Sequence, residues 1–380
     1  MNESWNYVPF DSLFDWCTKS NIGSRQAVEN GKYTLYIASA TEKKRYNEYL
    51  YDGEALVFGT GGNPAIHYAT NKFAYTNHTE AAIAKDNSVN LKFYYYYFQL
   101  NKYEQLRRTF VGGGIKNSSK KKIGALLVPV VDIETQKCIV AKIEELFSEL
   151  DNNIETLKNT KQQLAVYRQA VLKEAFKDCY RKVTVESVCQ HVTDGDHMPP
   201  PKTKQGFPFI MISNIENHII NWNNTAYVGD EYYNNIDIKR KPCKGDVLYT
   251  VTGSYGIPIL IDFEKSFCFQ RHIALLRPNS SINQKFLYYV MQTPEVYIQA
   301  TKGATGIAQK TVGLGVLRKI QIPYCDDITI QSKIVDDIET KMTICSNIEK
   351  IVDTALQQSE AMRQSILKKA FEGNEFNDSI

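Results

Sequence analysis

Groups able to do chemistry are common in this 380-residue chain, which carries 42 acidic residues, six histidines and eight cysteines, but their spacing assembles no reaction centre. Asn63-Pro64-Ala65-Ile66 approaches the Asn-Pro-Pro-aromatic signature with which amino-methyltransferases hold a target amine and stack an extruded base. The second proline and the aromatic ring are missing, and no Gly-rich strand-to-helix loop followed by an acidic residue offers a cofactor site. Thr60-Gly61-Gly62-Asn63 and Thr252-Gly253-Ser254-Tyr255-Gly256 lack the Gly-Lys-Ser/Thr that an ATP-binding P-loop requires. His67, His78, His191, His197, His218 and His272 show no metal-ligand spacing, so no metal site is expected. Cys17, Cys138, Cys179, Cys189, Cys243, Cys268, Cys325 and Cys345 never approach C-x-x-C spacing and read as reduced, structural thiols.

Binding chemistry is better represented. Two glycine-rich polar loops each lead to a strand and a proline, VGGGIKNSSKKKIGALLVP ending at Pro129 and KGATGIAQKTVGLGVLRKIQIP ending at Pro323. Glycine lets backbone N–H groups approach a phosphate, and Lys116, Lys120, Lys121 and Lys122, or Lys302 and Lys310, bring positive charge. A Gly-Lys loop is more often a solvated turn, so this feature alone assigns no partner.

The elements that must position these loops are written twice. Segments 136–176 and 331–371 agree, at an offset of 195, at Gln136/Gln331, Ile139/Ile334, Val140/Val335, Ile143/Ile338, Glu144/Glu339 and Asn152/Asn347. Towards their ends they agree again at Gln162/Gln357, Gln163/Gln358, Arg168/Arg363, Gln169/Gln364, Leu172/Leu367, Lys173/Lys368, Ala175/Ala370 and Phe176/Phe371. Both predict long helices with a seven-residue apolar repeat: Ile143, Leu150, Leu157, Leu164 and Val171 in the first, and Ile338, Cys345, Val352, Ser359 and Ile366 in the second. No Gly or Pro interrupts either before Gly373, which allows roughly 40 residues, or about 60 Å, of helix. Such a stripe needs a partner: the other copy is the cheapest, giving an intramolecular coiled coil, and the alternative is two helices each packed on its own domain.

The globular parts repeat as well. Asp52-Gly53-Glu54-Ala55-Leu56-Val57 answers to Lys244-Gly245-Asp246-Val247-Leu248-Tyr249, Thr60-Gly61-Gly62 to Thr252-Gly253-Ser254, and Lys92-Phe93-Tyr94-Tyr95-Tyr96 to Lys285-Phe286-Leu287-Tyr288-Tyr289. The expected fold is α+β, with globular units at 1–135 and 178–330, long helices at 136–177 and 331–373, and a short tail at 374–380. With 43% hydrophobic residues the chain has material for two cores. The N-terminus lacks a basic start and apolar core, and the run from Ile123 to Val131 is too short to span a bilayer, so a cytoplasmic protein is expected. A net charge of +3 and a pI near 8.2 suit a mixed solvated surface as well as nucleic acid.

The whole pattern resembles the specificity subunit of Type I restriction-modification systems, over nearly the entire chain. The Gln and Ile of Gln136/Ile139 and Gln331/Ile334, and the closing segments RQAVLKEAFK (168–177) and RQSILKKAFEG (363–373), carry the likeness. The family's usual Pro-Pro and Glu directly before the Gln are replaced by Pro-Val-Val-Asp-Ile-Glu-Thr and Pro-Tyr-Cys-Asp-Asp-Ile-Thr-Ile. The resemblance implies two target-recognition domains that each read half of a bipartite, asymmetric site in double-stranded DNA. It implies a helix pair that holds them at fixed spacing and docks two methyltransferase subunits, joined by a motor-nuclease subunit. S-adenosylmethionine, ATP and Mg are then expected in those partners, with no cofactor and no catalysis in this chain.

On this reading the expected DNA-binding residues are Lys43, Lys44, Arg45, Thr60, Asn63, Lys116, Lys120, Lys121 and Lys122 in the first unit. In the second they are Lys202, Lys204, Thr252, Ser254, Tyr255, Arg271, Lys302 and Lys310. Each could equally be a solvated surface residue. The alternatives are a coiled-coil adaptor whose 24 Tyr and 17 Phe serve protein surfaces, and, less well supported, a DNA adenine methyltransferase.

Overall fold

The computed structural model describes residues 5–197, 200–307 and 309–372. Gly373 and the expected tail lie outside them. The fold is α+β and divides into two compact units, residues 1–158 with 353–380, and residues 159–352. Each unit therefore joins one globular part to a portion of both long helices, Ile133–Ala175 and Ile328–Glu372.

The first unit is built on a four-stranded sheet ordered Phe14–Trp16, Thr79–Ala84, Ala55–Gly59, Ala65–Ala69, all antiparallel. Beside it, a second four-stranded sheet runs Lys43–Tyr46, Tyr33–Tyr36, Lys72–Tyr75, Tyr51–Asp52, with its central pair parallel. A short ribbon, Asn6–Pro9 against Leu127–Val130, leads the chain into the first long helix. In the second unit the corresponding sheet is Cys189–Asp194, Ile273–Pro278, Val247–Thr250, Pro258–Leu260, and the ribbon is Arg181–Thr184 against Gln321–Tyr324. The second sheet has diverged. It keeps the parallel pair, Phe207–Ile210 with Cys268–Phe269, but its other strands are Lys202–Thr203 and Ala226–Val228.

The aromatic run of the first unit forms the helix Leu91–Gln99, because Asn90 caps it by accepting from the backbone N–H of Lys92 (3.0 Å) and Phe93 (3.4 Å). Phe93, Tyr94, Tyr97 and Phe98 then fall on its buried face. Asn283 caps Gln284–Val290 in the same way, accepting from Lys285 (2.8 Å) and Phe286 (3.3 Å).

The recurring glutamines join this capped turn to the long helix. Gln136 is buried; its Oε1 accepts from the Asn90 N–H at 2.7 Å, and its Nε2 donates to the carbonyls of Ser88 (2.8 Å) and Val131 (2.7 Å). Gln331 repeats the set with the Asn283 N–H (2.7 Å) and the carbonyls of Ser281 (3.1 Å) and Cys325 (2.7 Å). Both long helices open three residues ahead of their glutamine. Asp132 and Asp327 stand just before these starts and accept from the N–H of Thr135 (2.9 Å) and Thr329 (2.7 Å), which holds both carboxyls below their usual range. A further recurring pair lies close by, Lys92 with Glu144 at 2.6 Å and Lys285 with Glu339 at 2.8 Å.

The expected apolar track is largely internal. Ile143, Leu150, Leu164, Val171, Ile338, Cys345 and Val352 are buried, while Leu157 and Ile366 are half-buried. In the first unit the end of the second helix meets the start of the first. Phe371 packs edge-on against Phe93 at 5.2 Å, and Arg363 pairs with Asp151 while its guanidinium lies 4.6 Å from the Phe147 ring centroid. The second unit holds the reciprocal set. Phe176 packs on Phe286 at 5.1 Å, and Arg168 reaches Glu349 (3.0 Å) and Ser346 (3.2 Å). In both units the helices pair antiparallel.

Replacing Gln331 by Leu orphans the buried Asn283 N–H and takes the side-chain donor from the Cys325 carbonyl, while the Ser281 carbonyl keeps the Tyr324 hydroxyl at 3.0 Å, so it should lower the stability of the second unit by about 2–4 kcal/mol in urea unfolding. Lys285→Ala, which removes only a half-exposed ion pair, should cost less than about 1 kcal/mol.

Candidate nucleic-acid interface

The glycine-rich loops are two copies of one hydrogen-bonded structure. In the first unit Val111 and Asn117 exchange backbone hydrogen bonds, both of 3.0 Å, and close a seven-residue loop, VGGGIKN. Gly62 donates to the Lys116 carbonyl (2.9 Å), Ser118 donates to the Thr60 carbonyl (2.8 Å), and Thr60 donates to the His78 carbonyl (2.9 Å). In the second unit Thr305 and Thr311 close the equivalent loop with bonds of 2.9 and 2.7 Å. There Gly253 donates to the Lys310 carbonyl (3.0 Å), Val312 to the Val251 carbonyl (2.8 Å), and Val251 to the His272 carbonyl (2.9 Å).

This bonding corrects the register read from sequence. Thr60 answers to Val251, and Gly61-Gly62 to Thr252-Gly253, one residue away from the expected match of Thr60-Gly61-Gly62 with Thr252-Gly253-Ser254. The constraint is conformational: Gly62 and Gly253 have φ of +81° and +71°, a left-handed backbone that favours glycine and fixes which residues superpose. Lys116 and Lys310 thus occupy one position, and both are exposed.

The remaining expected residues separate by environment. Lys43, Lys44 and Arg45 lie on the edge strand Lys43–Tyr46 of the diverged sheet, and Lys202 lies on the edge strand Lys202–Thr203 of its counterpart, with Lys204 just beyond. Arg45 is committed to the protein, donating to the carbonyls of Gly31 (2.9 Å) and Lys32 (2.8 Å). Lys44 reaches the Ser24 carbonyl at 3.3 Å, and the Lys43 ammonium sits 5.3 Å from the Tyr36 ring centroid. Thr252 is buried, its hydroxyl accepting from Thr311 at 3.3 Å, and Thr60 is half-buried. Tyr255 donates to Thr301 at 3.1 Å and stacks on Tyr297 with 5.6 Å between centroids. Asn63, Ser254, Arg271 and Lys302 are exposed.

Lys120, Lys121 and Lys122 form the exposed first turn of the short helix Lys120–Gly124, whose Ser119 cap accepts from the Lys122 N–H at 3.4 Å. The Lys120 ammonium lies 5.7 Å from the Trp16 ring centroid. Nearby Glu80 is largely buried, which raises its pKa, and Lys19 and Lys120 partly offset that rise. His67, buried with Nε2 2.7 Å from the Ser39 carbonyl, is held below the usual imidazole value by burial and serves the core.

Among the described residues no group of three or more His, Cys, Asp or Glu side chains could hold a metal ion, and no helix is long and apolar enough to cross a membrane. The arrangement offers cationic side chains on glycine-supported loops and sheet edges, which suits binding to a polyanion.

Sequence reading did not find Asn117 and Thr311, whose backbones close the two loops. Their signal was present in the parallel strings VGGGIKN and TGIAQKT, with glycine second and lysine sixth, once these are aligned on the lysine.

Comparison with known proteins gives a consistent result. The family model described as Type I restriction modification DNA specificity domain matches residues 2–165 and 181–357. The chain is 25% identical over 289 residues to the Type I restriction enzyme EcoBI specificity subunit of Escherichia coli, covering 68% of this chain and 60% of that protein. It is 23% identical over 291 residues to the EcoKI specificity subunit of Escherichia coli strain K12, covering 69% and 60%. The chain thus spans about 60% of the length of the curated relatives it matches. Among solved structures, a chain from work on complex assembly and conformational transition of the type I R-M system superposes with a TM-score of 0.74 at 15% identity, covering 98% of this chain and 99% of that one. The HsdS subunit from Thermoanaerobacter tengcongensis does so with a TM-score of 0.61 at 16% identity, covering 98% of both chains. With its two matched segments, its duplicated fold and these relatives, the chain belongs to the family of Type I restriction modification DNA specificity domains.

Proposed function

We propose that this chain is the non-catalytic, DNA-reading subunit of a Type I restriction-modification complex, in which its two globular parts read the two halves of a bipartite, asymmetric site. The observation that carries this reading is the contrast between what the two units share and what they do not. The Gly-Lys loop is built twice with the same hydrogen bonds, while the sheets bearing Lys43–Tyr46 and Lys202–Thr203 differ in strand order. A task common to both half-sites is holding the phosphate backbone, which is the same whatever the sequence. A task that differs between them is reading base edges. Lys116 and Lys310 are accordingly assigned to phosphate, together with Lys120, Lys121, Lys122 and Lys302. Lys43, Lys202 and Lys204 lie on or beside the sheets that differ between the units, and Arg271 follows the strand Cys268–Phe269 of one of them, whereas Asn63 and Ser254 follow Gly62 and Gly253 in the shared turn, where the two copies carry different side chains.

The long helices dock two methyltransferase subunits, and a motor-nuclease subunit completes the complex. S-adenosylmethionine, ATP and Mg belong to those partners, and the complex works in the cytoplasm, where its DNA lies. Methylation mapping of a strain with and without the intact chain tests the reading. A bipartite methylated motif should vanish on deletion, and an unchanged methylome would refute it.

Lys116→Ala and Lys310→Ala should each weaken binding of the assembled complex to specific and non-specific DNA alike, and lower the slope of log K against log salt by about 1. An altered target motif with an unchanged salt slope would reverse the assignment.

A further inference from the structure

Two cysteines meet at the base of the second long helix. Cys179 follows the end of the first long helix, its N–H donating to the Phe176 carbonyl at 3.1 Å, and Cys325 precedes the start of the second. The ribbon of Arg181–Thr184 against Gln321–Tyr324 brings them together, since Arg181 lies opposite Tyr324. Their sulfurs are 2.7 Å apart, and both are free thiols. The Cys325 carbonyl is also one of the two that hold Gln331. In the first unit the corresponding carbonyl belongs to Val131, so the thiol at this position is peculiar to the second unit.

From this geometry we infer that Cys179 and Cys325 form a dithiol modification site, oxidised reversibly to a disulfide by peroxide. A disulfide needs its sulfurs at about 2.05 Å, so closing the pair asks for a movement well under about 1 Å. Cys325 is the more exposed residue of the two, and it attacks first. Its thiolate displaces hydroxide from hydrogen peroxide and becomes a sulfenic acid. Cys179 then attacks the Cys325 sulfur, its proton leaves with the second oxygen as water, and the S–S bond forms. In sum, two thiols and one peroxide give one disulfide and two waters. Burial, reinforced by the contact with Cys325, pushes the Cys179 thiol up to about 12, which leaves the first attack to Cys325. The bond spans 146 residues of chain, enclosing the globular part of the second unit, and so restricts its unfolded state strongly. It also fastens the carbonyl on which the Gln331 contact depends.

The test uses the full chain treated with hydrogen peroxide, unfolded, and digested with trypsin. The expected product is a cross-link between the peptides 178–181 and 320–333, with free thiols falling from eight to six, reversed by dithiothreitol. The oxidised chain should also melt about 5–10 °C higher than the reduced chain. Cys325→Ser, at the more exposed position, should lose both the cross-link and the shift. Retention of eight thiols in the wild-type chain, a cross-link between other cysteines, or an equal melting shift in Cys325→Ser would overturn the proposal.

Discussion

The buried side-chain amide of Gln136, and its repeat in Gln331, is the contact on which the arrangement depends. Each long helix has to leave its globular part in a fixed direction, and a backbone emerging from a short ribbon has none of its own. Three hydrogen bonds from one amide tie the helix's first turns to a loop carbonyl, to the N–H of the asparagine that caps the aromatic helix, and to the carbonyl at the ribbon's end. Leucine could fill the same space but would leave those three groups without partners in a buried setting, the costly side of hydrogen-bond energetics. Glutamine satisfies them all and fixes an angle at the same time.

The far ends of the helices explain the other recurring positions. The aromatic helix anchored at one end by Gln136 receives Phe371 from the second long helix, and the helix anchored by Gln331 receives Phe176 from the first. Arginine follows the same rule, Arg363 pairing with Asp151 and Arg168 with Glu349. Each unit is therefore completed by both helices, which is why the compact units cut across the helices and not at their ends. The recurrence of Arg, Leu, Ala and Phe near residues 168–176 and 363–371 is the trace of these reciprocal contacts.

Much of this was legible in the sequence because it rests on period and repetition. The 195-residue offset and the heptad track predicted two long helices and a duplicated α+β fold, and Ile143, Leu150, Ile338 and Val352 lie inside as expected. The glutamines were visible as recurring letters, but their partners Ser88, Asn90 and Val131 sit up to 48 residues away and meet them only through folding. The loop register was misread by one residue because Thr60 and Thr252 look alike, whereas a left-handed φ at Gly62 and Gly253 decides the superposition. Arg45 shows why surface bets are hard: its guanidinium reads as DNA-facing in sequence, yet it is spent on the Gly31 and Lys32 carbonyls.

The central claim is that the two globular parts read DNA separately. Exchanging residues 1–135 for the equivalent part of a relative with a different target, then mapping methylation in the complete system, tests it most directly. One half of the methylated motif should change to the relative's sequence while the other half stays as it was. A change in both halves, or in neither, would contradict independent reading by the two units.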